Sequence, residues 1–188
     1  MPEIRPARPS DAALLAPMLA EAIRATYAPF AQAVVYEAVI AQTCTEEALA
    51  ASIEAAEVRS AGHFLVAEPV PRGFLDFGDD GDGLELRRLY TAVGETGRGV
   101  GAALLAALEE RLASGTEYRA VVHEQNRRAL KFWARHGFVE VGRVDTREHF
   151  AAHRGLGFEE PSEPEPCLIL RRVVGSWRRT LRRRMSHS

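Results

Sequence analysis

Gly97, Gly99 and Gly101 stand at alternate positions between two different kinds of sequence. Before them, Leu84-Glu85-Leu86-Arg87-Arg88-Leu89-Tyr90-Thr91 reads as a buried strand. After them, an Ala/Leu-rich run reads as a helix. Glycines in such a turn let backbone amides approach a ligand with no side chain between. The helix that follows adds unpaired N–H groups and the positive end of its dipole. That combination binds phosphate, most often a pyrophosphate, so a nucleotide-like cofactor is the expected ligand.

Neighbouring residues discriminate between kinds of phosphate turn. Gly94 and Gly99 have the glycine spacing of the ATP/GTP loop, but Val100 stands where its lysine belongs and Gly101 where its hydroxyl belongs. The dinucleotide fingerprint fits Gly97, Gly99 and Ala102. It belongs in the first strand–helix unit of a domain, however, and here about ninety residues precede it. Its acidic partner, roughly twenty positions on, would be Glu117, which lies before the next strand instead of at its end.

A third pattern, [RQ]-x-x-G-x-[GA], takes Thr96-Gly97-Arg98-Gly99-Val100-Gly101 in register. Downstream, Asn126-Arg127-Arg128-Ala129-Leu130-Lys131-Phe132-Trp133-Ala134-Arg135-His136-Gly137-Phe138 follows N-x-x-A-x-x-[FL]-Y-x-x-x-G-F. Two motifs in this order and spacing resemble the GNAT N-acetyltransferase superfamily, over a span from about Ile4 to about Val173. The resemblance implies an α/β (α+β) fold in which a mixed central sheet, flanked by helices, splays around an acyl-CoA cleft. It implies acetyl-CoA as co-substrate, no metal, and transfer of the acetyl group to a primary amine of a small molecule or protein. Direct attack in a ternary complex is the expected mechanism, because neither Cys44 nor Cys167 lies in a recognised motif.

The same resemblance assigns residues. Thr96, Gly97, Arg98, Gly99, Val100, Gly101 and Ala102 would hold the pyrophosphate, Arg98 adding charge. Main-chain groups of Leu89, Tyr90 and Thr91 would pair with the pantetheine arm, and an amide there would serve as oxyanion donor. Asn126 and Trp133 would also touch the cofactor. Glu85 lies eleven residues before Thr96, the separation at which one branch of the family carries its catalytic glutamate. Leu84 and Leu86 beside it are expected to raise its pKa into the working range. The alternative is an exposed strand residue paired to an arginine such as Arg87. His123 and Glu124 are second choices as base. Another branch places a glutamate five residues before the motif asparagine, and Val121 occupies that position here.

Two residues depart from the pattern. The family's tyrosine after Phe132 protonates the leaving thiolate, and Trp133 replaces it; an indole donates a hydrogen bond but does not titrate usefully. A water, Tyr90 or bulk solvent must then supply the proton. Thr96 replaces the first Arg or Gln and removes a side-chain contact while leaving the amides. Both departures also suit a GNAT-like domain that senses acyl-CoA without turnover.

The elements that would position these groups alternate along the chain. Strands are expected at Ile4–Arg8, His63–Glu68, Gly73–Phe77, Leu84–Thr91, Tyr118–His123, Phe138–Arg147 and Cys167–Val173. Helices are expected after Ser10-Asp11, over about Ala31–Gln42, from Thr45 to near Gly62, over Arg98–Ala113 and over Arg127–His136. Tyr27, Phe30 and Tyr36 fall in the early helices, where they are placed to line the acceptor pocket. Gly155–Pro166 reads as a loop. Asp76, Asp79, Asp80 and Asp82 with Glu85 make an acidic run suited to greeting a cationic amine.

With 188 residues and 46% hydrophobic content, the chain suits one domain at 1–174 followed by a basic tail at 175–188. The first 170 positions hold 17 basic and 26 acidic residues, whereas the last eighteen hold seven arginines and no acid. An acidic body attracts cationic amines. Nucleic acid is an expected partner only through the Arg-rich tail. No apolar run approaches the ~18 residues of a membrane span, and Met1-Pro2-Glu3-Ile4-Arg5 lacks the apolar centre of a signal peptide, so a cytoplasmic location is expected. Two cysteines form neither a disulfide framework nor a metal cluster. The resemblance also allows a homodimer paired through a sheet edge.

Overall fold

One seven-stranded sheet organises the chain, in the order β1-β2-β3-β4-β5-β7-β6. Its strands are β1 (Ile4–Pro6), β2 (His63–Ala67), β3 (Gly73–Asp79), β4 (Leu84–Thr91), β5 (Glu117–His123), β6 (Val139–Asp145) and β7 (Pro166–Val173). The helices are α1 (Ala12–Tyr27), α2 (Ala33–Thr43), α3 (Glu46–Val58), α4 (Val100–Glu109), α5 (Arg127–Arg135) and α6 (Thr146–Ala152). This computed structural model describes residues 2–58, 61–69, 71–79, 81, 83–152 and 165–175. The Arg-rich tail beyond 175, most of the loop expected at Gly155–Pro166, and Asp80 and Asp82 of the acidic run lie outside those residues.

Both faces of the sheet are covered, which is why its inner strands read as nearly continuous apolar runs. On one face Leu75, Phe77, Leu86 and Tyr118 meet Val100, Leu104 and Leu108 of α4 and Trp133 of α5. On the other, Phe64, Val66 and Phe74 meet Leu15, Leu19 and Ile23 of α1 and Leu49 and Ile53 of α3. Val100, Leu104 and Leu108 recur every four residues, so α4 lays a single apolar stripe on the sheet. Each such leucine contributes about 1.5–3 kcal/mol by leaving water.

Every neighbouring pair of strands is antiparallel except β4 and β5, which run parallel. That pair is joined by a single rung, Glu85 opposite Arg119, beyond which the strands part. The mixed sheet splayed at its centre, expected from the family resemblance, is therefore present. A register shift in the β3–β4 ladder sets Asp76 opposite Arg88 and Phe77 opposite Leu86, leaving Arg87 as the extra residue of a bulge. Arg87 and Arg88 both turn onto Asp76, at 3.0 and 2.8 Å.

The structure corrects several element boundaries. The strand expected through Arg147 stops at Asp145, and α6 follows at once. Asp145 Oδ1 accepts the Glu148 amide at 2.8 Å, the cap that turns the chain from strand to helix. The helix expected from Arg98 starts at Val100, because Gly99 takes a left-handed conformation. Asp11 was expected to cap α1, but its carboxylate accepts instead from the Arg8 amide and the Arg5 guanidinium, each at 2.8 Å. Asp76 is 3% exposed and belongs to the core ion cluster, not to a solvated acidic run.

Candidate active site

Where β4 and β5 diverge, a cleft of about 670 Å³ opens between them and is closed laterally by α1, α4 and α5. One end is the glycine turn. Gly97 and Gly99 have φ of +79° and +86°, a region that side chains rarely adopt, and a Cβ at either would meet nothing within 4 Å. Conformation, not crowding, requires glycine there. No side chain caps α4, and its first bond runs from the Ala103 amide to the Gly99 carbonyl. The amides of Val100, Gly101 and Ala102 thus lack intrahelical acceptors, and these residues line the cleft. Arg72 grips Glu95 at 2.7 Å and ties the turn to the β2–β3 connection.

Most of the expected cofactor residues line this cleft: Leu89, Tyr90, Thr91, Thr96, Gly97, Gly99, Val100, Gly101, Ala102, Asn126 and Trp133. Arg98 does not. Its side chain is 70% exposed and lies 3.9 Å from Glu95. Positive charge comes instead from Arg128, Lys131 and Arg135, which stand on one face of α5 and line the cleft. Their spacing of three and four residues was the readable signal that sequence reasoning passed over. Asn126 has a structural task as well, since its side-chain oxygen caps α5 by accepting the Ala129 amide at 3.1 Å.

Trp133 is 6% exposed and packs against Phe138 and Phe132 with ring centroids 4.7 and 4.9 Å apart. It forms part of the cleft wall and of the core beneath it. On the α1 side, Tyr27 and Tyr90 both line the cleft. Burial pushes both phenols above their ordinary range, Tyr90 well above it. Phe30 packs edge-on to Tyr27 and stacks on His123 at 4.8 Å. Tyr36 packs against the core on that side.

Glu85 is placed differently from the sequence expectation. It is 1% exposed and does not line the cleft. Its surroundings are an ion cluster, not an apolar pocket: Arg119 Nε lies 2.8 Å from one oxygen and His149 Nε2 3.7 Å from the other. Its arginine partner is Arg119 rather than Arg87. His149 and Glu165, neither singled out in the sequence, reach this region from α6 and from the start of β7. Glu165 Oε2 stands 3.2 Å from His123 Nε2, while His123 Nδ1 accepts the Gln125 amide at 3.1 Å.

A glycine turn at one end of a parted parallel strand pair is the decisive geometry, and residues 60–140 match the family model of the acetyltransferase (GNAT) domain. Over residues 60–140 the chain is similar to the GNAT superfamily. Among solved GNAT structures, the PaiA N-acetyltransferase of Thermoplasma acidophilum, determined with coenzyme A, aligns at a TM-score of 0.68 and 21% identity, over 92% of this chain and 99% of that one. A GCN5-related N-acetyltransferase from Rhodopseudomonas palustris aligns at 0.69 and 22%, over 92% and 96%. A phosphinothricin acetyltransferase from Sinorhizobium meliloti, determined with acetyl-CoA, aligns at 0.64 and 18%, over 93% and 89%. At these identities the likeness is one of GNAT fold. No curated protein matches by sequence. Among the described residues no helix is long and apolar enough to cross a membrane, and no cluster of side chains suits a metal ion.

Proposed function

We propose that this protein is an N-acetyltransferase that moves an acetyl group from acetyl-CoA to a primary amine by direct attack. The reading rests on one observation above all: the glycine turn and uncapped start of α4 open onto the cleft where β4 and β5 separate. The residues present suit the carrier. Backbone amides of the turn would take its pyrophosphate, Arg128, Lys131 and Arg135 would neutralise the remaining phosphate charge, and the free edge of β4 at Leu89–Thr91 would pair with its amide arm. The bound thioester supplies an activated acyl group.

Neither cysteine is prepared to act as a nucleophile. Burial, reinforced by nearby Glu165, Asp145 and Glu124, pushes the Cys167 thiol up to about 12, and burial also raises Cys44. That favours transfer without a covalent enzyme intermediate. We assign the removal of the ammonium proton to Glu85, which stands behind the cleft lining at the rung where β4 and β5 meet, with the 20% exposed His149 beside its second oxygen as the way out to solvent. Tyr27, Phe30 and His123 form the wall that an acceptor would meet.

Titration calorimetry with coenzyme A, followed by thiol release from acetyl-CoA against a polyamine, an aminoglycoside, a free amino acid and a peptide N-terminus, tests this reading. Saturable binding with amine-dependent thiol release is expected. Binding without release under any amine would favour a sensing domain, the reading to which the buried Trp133 and the ion-paired Glu85 lend weight. Absence of binding would sink both.

A further inference from the structure

The charges along the cleft do not suit a polycation. Among the described residues that line it, Glu95 is the one carboxylate, and Arg72 holds it at the glycine turn. Against it stand Arg87, Arg128, Lys131 and Arg135. The three on α5 are assigned above to the carrier's phosphates. Arg87 stands apart from them on β4, two positions before the Leu89–Thr91 edge offered to the carrier's arm. Two positions of strand span about 7 Å.

The Arg87 guanidinium is incompletely satisfied. Its side chain is 4% exposed, and Nη2 donates to Asp76 Oδ1 at 3.0 Å. Nε and Nη1 are closed to water and have no hydrogen-bond acceptor among the described residues. Asp76 does not serve them, because its other oxygen accepts Nε and Nη2 of Arg88 at 3.0 and 2.8 Å. The β4 bulge thus sets two guanidiniums on one carboxylate and leaves a positive charge in excess. Buried donors left unmade are costly and call for a partner. Gly78 gives the guanidinium its room, since a Cβ there would stand 2.9 Å from Arg87 Nη2. Gly78 is opposite Glu85 in the β3–β4 ladder, so Arg87 reaches the rung of the carboxylate assigned to take the ammonium proton.

We infer that Arg87 receives a carboxylate of the acceptor, which makes the acceptor a small amino acid, with amine and carboxylate on one short body. The inference rests on the acetyl-transfer reading above and narrows its substrate. The ammonium end meets Glu85 and the carboxylate end meets the unused donors of Arg87. A guanidinium suits that task because it stays charged and is only weakly hydrated. A polyamine would bring positive charge to a wall that already has it, and a protein N-terminus has no carboxylate beside its amine. The acidic run expected to greet a cation is not at this wall. Asp76 is in the core, and Asp79 accepts the Gly81 amide at 2.9 Å.

Free amino acids with neutral, acidic and basic side chains, each beside its own primary carboxamide, test the inference, with spermidine as the polycation. The carboxamide keeps the amine and the shape but removes the negative charge. Its nitrogen is the less basic of the two, so a preference for the acid does not come from amine ionisation. The readouts are kcat/KM by thiol release and acceptor affinity by calorimetry with coenzyme A present. At least one amino acid should exceed its carboxamide by roughly tenfold or more in both, and spermidine should be poorer than that amino acid. Arg87→Met should bring the two members of the pair together by losing on the acid alone, and Arg87→Lys should recover part of the difference. Should Arg87→Met fail to fold, the wild-type ratios decide. Carboxamides that match their acids in wild type, spermidine as the best acceptor, or a folded Arg87→Met that keeps the wild-type ratio would overturn the inference. A wild-type protein that does not bind coenzyme A would instead remove the acetyltransferase reading on which it stands.

Discussion

Glu85 and Arg119 face each other across the only rung that joins β4 to β5, and their side chains close a salt bridge of 2.8 Å there. The pair marks the apex of the cleft. A carboxylate at that place can hold the apex shut, accept a proton, or do both, and two substitutions separate these roles. Glu85→Gln keeps the shape and removes the charge. As proton acceptor, Glu85 should be worth roughly 10²- to 10⁴-fold in kcat, with the melting temperature within a few degrees of wild type. Arg119→Met removes the bridge and should cost about 1.5–3 kcal/mol of stability. A Glu85→Gln protein with full kcat and lowered melting would confine Glu85 to the structural role.

Alanine at Gly99 should weaken coenzyme A binding without disturbing the core. The left-handed conformation at φ +86° costs a side chain about 1–2 kcal/mol. Relaxing that strain would swing the amides off the phosphate, for a loss of roughly 5- to 30-fold in affinity. Gly94 is the control, because its Cβ direction is open and its φ is ordinary. Calorimetry on Gly94→Ala should reproduce the wild-type affinity.

Charge on α5 should appear as salt dependence. Lys131→Glu reverses one of the three α5 cations that line the cleft. Coenzyme A affinity should fall severalfold at low ionic strength, and the gap from wild type should narrow as the Debye length shrinks from about 10 Å at 0.1 M salt to about 3 Å at 1 M. A gap that does not respond to salt would place Lys131 outside the phosphate field.

Restoring the family tyrosine with Trp133→Tyr should not raise kcat. The indole is 6% exposed and packed between two phenylalanines, so a phenol there has an apolar wall and loses packing. A loss of about 1–3 kcal/mol with unchanged kcat is the expected result. A clear gain in kcat would show that a phenol at this position reaches the leaving sulfur.

Asp76 should govern acid stability. Its burial alone would raise its pKa, but Arg88 and Arg87 outweigh that and hold it below the ordinary 3.8. Its contribution is therefore present above the unfolded-state value and lost as pH falls through the folded one. Wild-type stability should be flat near neutrality and drop below about pH 4, and Asp76→Asn should show a shallower acid limb from a lower plateau. Asp76→Ala, which leaves two buried guanidiniums facing nothing, should cost about 3–5 kcal/mol. Urea titration across pH measures both.

How much of this was legible in the residues depended on distance along the chain. The glycine turn is local: strand, turn and helix lie within thirty positions and announce themselves by composition, and the cleft formed where expected. Glu85 was visible as a candidate, but its environment was not, because Arg119 is 34 positions away and His149 belongs to a short helix that no pattern announced, starting where the expected strand was to end. Asp76 looked like one more residue of an acidic run until the bulge at Arg87 turned two guanidiniums onto it. Tyr27 reaches the same cleft as Tyr90 only because α1 crosses β4. Pairings of this sort are set by topology, which periodicity does not encode.

The single rung between β4 and β5 also has a mechanical consequence. Backbone hydrogen bonds resist shear and opening everywhere else in the sheet, so the seam along these two strands is its most compliant line. A molecule that grips both banks acts as a stitch, and amide hydrogen exchange at Leu89–Thr91 and at Val121–His123 should slow together when the seam is closed.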